Sequence, residues 1–344
     1  MPHVVSVPRA PFLTADGLLE VHQVPAAQDN LIWLLRVVGT DEVAAVDGPD
    51  AGGVLDYCAA QGLRLTAILN THTHPDHIGI NRDLKKRGLL DGMRVVGAAA
   101  TRDVIPGLTE AVGEGDVVRL GAAAGRVLLT EGHINGHISY VFSDALFCGD
   151  TLFAGGCGYL FDGPPSKMHA SLTRLAQLPP ATRVCCAHEY TEDNLRFAFS
   201  VEPDNAALAE RIRAVWALRA RGECSVPSTI ADELATNPLL AAREPHAAGQ
   251  GGGGVRRTSD RGCRGRVRGH ARSQEQGRVQ VTWRRGLAAL SGRRTRRAGL
   301  GGFGASAVGA LGAFQQSKSA PWRDVSICSL TAGGASPAPW RRPG

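Results

Sequence analysis

At 344 residues and 43% hydrophobic, the chain can fill a sizeable core and has room for two domains, or one domain and appendages. No run of about 18 apolar residues suggests a membrane span, Gly299–Phe314 being too short and too glycine-rich. The net charge of +6 hides a split, with 18 Lys+Arg against 3 acids from Ala247 onward and 20 against 29 before it, which places a boundary near residue 246.

Met1–Gly17 lacks the basic start and apolar run of a secretory signal. The eight cysteines have no regular spacing and form no disulfide framework, so the expectation is a cytoplasmic protein with reduced thiols. In chain order, strands are expected at Leu18–Val24, Asn30–Val37 and Glu42–Asp47, the last closed by the turn residues Gly48, Pro49 and Asp50. Val54–Gln61 reads as a helix stopped by Gly62, and Leu65–Asn70 as a strand. That strand delivers the densest chemical stretch of the chain, Thr71-His72-Thr73-His74-Pro75-Asp76-His77. Alternate side chains of an extended segment share a face, so His72 and His74 can grip one ion together. Pro75 suits the first turn of a helix and swings Asp76 and His77 to a different bearing, with Asn81–Lys86 continuing that helix. Two ligand pairs with two bearings indicate two metal ions.

Further strands are expected at Arg94–Gly97, Gly125–Thr130, Ala145–Cys148 and Arg183–Cys186. Ser166–Leu178 reads as an amphipathic helix with Ser166 as its cap. His72, His133, Asp150 and His188 each follow the end of an apolar strand, the edge where open α/β architectures place their sites. With the rest of the central stretch this gives as metal ligands His72, His74, Asp76, His77, His133, Asp150 and His188. One ion with an open position needs about three protein ligands, so this set serves two ions if one ligand bridges; a carboxylate can, and Asp150 is the expected bridge. His137 is expected to orient the loop rather than bind. The cysteines near the strands, including Cys185 and Cys186, read as small apolar residues.

These residues resemble the metallo-β-lactamase fold superfamily. Narrower markers resemble its hydroxyacylglutathione hydrolase (glyoxalase II) branch: Gly149-Asp150-Thr151-Leu152-Phe153, Gly156-Cys157-Gly158, His188-Glu189-Tyr190-Thr191, Val201-Glu202-Pro203, Val226-Pro227-Ser228-Thr229 and Asn237-Pro238. The similarity runs from about Val21 to Pro245. It implies an α+β fold, an αββα sandwich at 1–188 followed by a small helical substrate-binding domain at 189–246. The residues agree, Ala206–Ala220 reading as a helix capped by Asn205 and stopped by Gly222, and Ser228–Ala235 as another.

Carried over residue by residue, His72, His74 and His133 would hold the first ion and Asp76, His77 and His188 the second, with Asp150 between. Asp76 and Asp150 would be the catalytic carboxylates beside a water acidified by the two ions. The resemblance implies zinc as the metal, with iron or manganese as alternatives. It implies hydrolysis of glutathione thioesters, S-lactoylglutathione giving D-lactate and glutathione, as the second step of methylglyoxal degradation in a monomer. Tyr159 and Tyr190 would meet the substrate.

The chain departs from the family pattern in three places. Thr130-Glu131 stands where the family has Thr-Pro, and local rearrangement is expected. Tyr159 stands where a Lys or Arg usually meets glutathione. Beyond Asn237-Pro238 an expected terminal helix with basic glutathione contacts is replaced by a glycine run, Gly249–Gly254, and a Gly/Arg-rich tail over 247–344. That tail lacks helical or strand periodicity and is expected to be disordered, a frame-shifted or lineage-specific extension. The competing readings are another hydrolase of this fold or a one-iron sulfur dioxygenase, a homologue impaired in substrate binding, and nucleic-acid binding through the tail.

Overall fold

The computed structural model describes residues 3–240, all within one unit, and the expectations for the tail lie outside the described residues. In chain order the strands of the first half are β1 (Phe12–Leu13), β2 (Leu19–Ala26), β3 (Asn30–Val37), β4 (Glu42–Val46), β5 (Arg64–Leu69), β6 (Arg94–Ala98) and β7 (Glu110–Val112). They form one seven-stranded sheet in sequence order, antiparallel from β1 to β4 and parallel from β4 to β7. Helices α1 (Gly52–Gln61) and α2 (Gly79–Lys86) lie in the crossovers on either side of β5.

The second half gives β8 (Val117–Leu120), β9 (Ala123–Leu129), β10 (Ile138–Phe142), β11 (Ala145–Gly149), the small hairpin β12 (Leu152–Phe153) and β13 (Gly156–Cys157), helix α3 (Pro165–Leu175) and β14 (Arg183–Cys186). Then follow α4 (Thr191–Val201), α5 (Ala206–Ala220), β15 (Ser228–Thr229) and α6 (Ile230–Thr236). The second sheet has the order β15-β14-β11-β10-β9-β8. The whole is of the expected α+β class, a seven-stranded and a six-stranded sheet with helices in the connections.

Strand alternation sorts the core into two layers. On β3, Leu31, Trp33 and Leu35 face the interior shared by the two sheets, while Ile32 and Leu34 face the helices. Residues of β4 divide the same way, Ala44 and Val46 inward and Val43 and Ala45 outward against Val54, Cys58, Ile80 and Leu84. Sheets buried on both faces need near-continuous apolar strands, which these are. A third, smaller cluster holds α4 to α5 through Leu195, Ala198, Leu208, Ile212 and Val215.

Three local expectations are corrected. Pro75 does not open a helix: His77 and Ile78 donate to the His74 carbonyl at 3.0 and 3.1 Å, making a tight turn, and α2 starts only at Gly79. Ser166 is not the cap of α3. Pro164 takes that place in an extended conformation and Pro165, whose fixed φ is preorganised for a first turn, begins the helix. Residues 228–229 pair with β14 as a strand, and Thr229 then caps α6 in a reciprocal box with Asp232.

Topology explains why ligands cluster at one edge. Strands β4, β5 and β6 run parallel in one sheet, and β9, β11 and β14 share a direction in the other, so the loops after β5, β9, β11 and β14 open together. Because β3 runs antiparallel to β4, the segment entering β3 lies at that same edge.

Candidate metal centre

The seven expected ligand residues meet at this edge. His72, His74, His133 and Asp150 form one group of ligand atoms within 4.8 Å of one another, and Asp76, His77 and His188 form another. In the first, His72 Nε2 and His133 Nε2 lie 3.1 and 2.9 Å from His74 Nδ1. In the second, His77 Nε2 and His188 Nε2 are 3.4 Å apart, with Asp76 Oδ2 at 3.6 and 3.4 Å from them. Asp150 stands between the groups. Its Oδ1 is 3.4 Å from both His77 Nε2 and His188 Nε2, and its Oδ2 is 3.4 Å from His133 Nε2.

The tautomers follow from what the other ring nitrogens touch. His77 Nδ1–H donates to Asp47 Oδ2 at 3.0 Å and His188 Nδ1–H to Asp29 Oδ1 at 2.8 Å. His133 Nδ1–H donates to the Tyr159 carbonyl at 2.5 Å. Thr71 gives its hydroxyl proton to Asp47 at 2.6 Å and so accepts from His72 Nδ1–H at 3.1 Å. Each of these four imidazoles therefore has Nδ1 engaged and turns Nε2 inward, the arrangement by which hydrogen-bonded partners prepare histidines for a metal.

The donor set fits divalent cations. Lone pairs brought within 3.4 Å repel unless positive charge lies among them, and Asp150 Oδ1 is buried without a hydrogen-bond partner. Burial pushes His72 well below its ordinary range and His133 down to about 4, keeping both as neutral donors. Burial opposes ionisation of Asp150, yet the facing His188 and His77 hold its carboxyl well below the usual range. At His77 burial favours the neutral ring, but Asp150 and Asp47 outweigh it and raise its affinity for a proton. The buried Asp150 carboxylate, set among inward-turned imidazole nitrogens, thus calls for a cation. The third possible group, Asp47 with His72 and His77, is better read as support, because Asp47 already accepts from Thr71 N–H, Thr71 O–H and His77.

His137 sits where an orienting residue is needed. It stacks on His72 at 4.6 Å, accepts from Asp150 N–H at 3.2 Å through Nε2, and faces the Thr130 and Thr151 hydroxyls through Nδ1. Gly149 makes this packing possible. At φ 47° a side chain is disfavoured, and a Cβ there would lie 2.2 Å from Thr71 Oγ1. The substitution Glu131 also finds its reason here, since its carboxylate accepts from Gly136 N–H at 2.7 Å and pairs with Lys167 at 2.8 Å, tying down the loop that carries His133 and His137.

Asp29 and Asp47 are the functional residues that sequence reasoning missed. Asp47 ends β4 beside β5, the same strand-end position that identified the ligands, and Asp29 precedes β3 at that edge. Tyr159 and Tyr190 differ in setting. Tyr159 is 39% exposed and its ring lies 4.9 Å from that of Phe161, which is 61% exposed beside His74 and His133. Tyr190 stacks on His188 at 4.8 Å and donates its hydroxyl to Asp29 at 3.2 Å.

Comparison with known proteins agrees with this geometry. The metallo-beta-lactamase superfamily model matches residues 39–95 and 91–188, and the model of the hydroxyacylglutathione hydrolase C-terminus matches 189–261. The chain is 50% identical over 230 residues to the hydroxyacylglutathione hydrolase of Methylococcus capsulatus, covering 66% of this chain and 89% of that one. It is 49% identical over 222 residues to that of Gloeobacter violaceus, covering 64% and 87%. To that of Synechococcus sp. (strain JA-2-3B'a(2-13)) it is 49% identical over 229 residues, covering 66% and 90%. The chain belongs to the hydroxyacylglutathione hydrolase family of the metallo-β-lactamase superfamily.

Proposed function

We propose that the chain hydrolyses glutathione thioesters, S-lactoylglutathione giving D-lactate and glutathione, in the second step of methylglyoxal degradation. The observation that carries this reading is one buried carboxylate, Asp150, facing two separate histidine groups, in a chain whose family acts on such thioesters. His72, His74, His133 and Asp150 would hold one ion, and Asp76, His77, His188 and Asp150 the other. Zinc is the proposed metal, since imidazole and carboxylate donors suit it; they also suit iron and manganese. Bound there, the cations supply Lewis acidity, lowering the pKa of a water toward ~7 and polarising the thioester carbonyl.

The protein's own part is placement and charge. Asp47, Asp29, Thr71 and the Tyr159 carbonyl hold the four imidazoles in one tautomer, so the donor set is preorganised. Asp76, half-exposed and accepting from Asn30 Nδ2 at 3.1 Å, keeps a carboxylate at the mouth. A thiolate leaving group has an ordinary pKa near ~8.5 and departs without a strong general acid. Phe161 and Tyr159 line the approach beside His74 and His133, and Tyr190 is proposed to meet the peptide portion.

The test is turnover of S-lactoylglutathione by metal-analysed protein. Two ions per chain and chelator-sensitive turnover are expected. One ion per chain with oxygen-dependent persulfide oxidation would replace this reading with the sulfur dioxygenase one, which leaves Asp76, His77 and His188 without a task. No helix of the described residues is long and apolar enough to cross a membrane. The free cysteines among the described residues support a cytoplasmic placement, which we propose together with a monomeric state.

Tyr159 offers a sharper check. An arginine there restores a cation for the anionic peptide, worth ~1 kcal/mol at a half-exposed position. Tyr159→Arg should lower KM for glutathione thioesters about fivefold and leave small uncharged thioesters unchanged. Because His133 is held by the backbone carbonyl of residue 159, the substitution leaves the metal groups intact. An equal response from both substrate types would remove Tyr159 from the substrate site.

A further inference from the structure

The segment before β1 precedes the family-like stretch that begins near Val21, and it runs to the residues that follow His188. Ser6 and Val7 N–H both donate to the Gly222 carbonyl at 3.0 Å, Cys224 N–H donates to the Val7 carbonyl at 3.0 Å, and Arg219 Nη2 donates to the Val4 carbonyl at 2.7 Å. These bonds pin the arm to the turn after α5. Val5 packs on the inter-sheet core, and Arg9 N–H donates to Gln23 at 2.9 Å, fixing the other end.

His3 is the residue this path delivers. Its Nδ1–H donates to the Glu189 carbonyl at 3.0 Å, its Nε2 pairs with Asp193 at 3.2 Å, and its ring meets that of Tyr190 edge-on at 5.4 Å. Glu189 is already held from the other side, its N–H donating to the Asp29 carbonyl at 3.0 Å. The residue that follows His188 thus has both backbone polar groups engaged, one by Asp29 and one by His3. Tyr190 in turn lies parallel to His188 at an interplanar angle of 2° and shares Asp29 with it. A ring stacked on a metal ligand and bonded to the same carboxylate limits how that ligand can tilt, and supports of this kind tune metal affinity.

We propose that the N-terminal arm is a clamp on the second metal group, with His3 a positioning residue that holds the His188–Tyr190 turn through the Glu189 carbonyl and the Tyr190 ring. This rests on the two-ion reading above. His3 touches neither ion nor substrate, so its removal acts on one group only. The ion held by Asp76, His77 and His188 loosens, while the one held by His72, His74 and His133 does not.

The experiment equilibrates the full zinc-loaded chain against graded dipicolinate and counts ions per chain by elemental analysis. The variants are His3→Ala and His3→Gln, with His188→Ala identifying which release step belongs to the second group. The second-group ion of His3→Ala is expected to leave at about tenfold lower chelator, the low end of the range for outer supports, with the other step unmoved. His3→Gln, whose amide can donate to the same carbonyl and to Asp193, should lie near wild type. For thioester turnover kcat should fall at subsaturating zinc and recover at saturating zinc. Release curves of His3→Ala that overlay wild type overturn the proposal. So does an equal shift of both steps with a lower melting point of the metal-free chain, which marks plain loss of packing, or a glutamine variant that behaves as alanine. A wild type holding a single ion removes the two-ion reading and the clamp with it. A wild type that holds two ions yet leaves thioesters intact removes only the substrate assignment, and the release curves still judge His3.

Discussion

Asp150→Ala is expected to cut kcat for thioester hydrolysis by roughly three orders of magnitude, about 4 kcal/mol of transition-state stabilisation. Asp150 is the side chain that addresses both groups, Oδ1 toward His77 and His188 and Oδ2 toward His133. Alanine removes the shared acceptor and leaves three histidines on one side and an imidazole pair with Asp76 on the other. Each group would then offer its ion one donor fewer. The fold should survive, because Asp150 makes no hydrogen bond through Oδ1 and its backbone N–H bond to His137 does not depend on the side chain. Melting must be compared between metal-free forms, since bound ions stabilise the wild type by mass action and would otherwise exaggerate the loss. Near-normal turnover by a variant that still holds both ions would sink the bridging role.

The candidate ligand cluster is legible in the sequence because the physics that places it is local. An apolar strand followed at once by His or Asp is visible as a pattern, and parallel strands must bring such ends to one edge; His72, His133, Asp150 and His188 all follow that rule. Asp47 obeys the same rule at the end of β4 but reads as part of a strand running into a Gly-Pro-Asp turn, so its neighbours concealed it. Asp29 could not be found by looking after strands, because it precedes β3 and reaches the site only through antiparallel pairing with β4. Glu131 reads as an isolated departure in sequence. Its partners, Gly136 N–H and Lys167, lie 5 and 36 residues on, and only the fold shows that they form one tie. The helix α4 is hidden for a different reason: Thr191–Val201 lies between the family markers that end at Thr191 and begin at Val201, which read as motif rather than as periodicity, though Leu195 and Ala198 pack against α5.

Asp47→Ala should be the most destabilising change at the site, and one that acts before any substrate arrives. The Asp47 carboxylate, 3% exposed, accepts from Thr71 N–H at 2.8 Å, Thr71 O–H at 2.6 Å and His77 Nδ1–H at 3.0 Å. Alanine leaves three buried donors unmatched, each costing ~1–3 kcal/mol. It also puts a methyl side chain at φ 56°, a left-handed conformation that costs ~1–2 kcal/mol without a polar side chain to favour it. The total, on the order of 4–11 kcal/mol, rivals the ~5–15 kcal/mol that holds a domain together. The amide side chain of Asp47→Asn would tolerate the same backbone and keep one acceptor, so that variant should fold while releasing His77 from its charged partner. Metal-free melting should therefore rank wild type above asparagine above alanine. The asparagine variant should bind the ion of the His77 group roughly ten- to hundredfold more weakly. The check is a melting curve on each metal-free chain followed by ion counting after dialysis. If Asp47→Ala melts with wild type and retains both ions, the carboxylate neither supports the fold nor orients His77, and the network beneath the site has been misread.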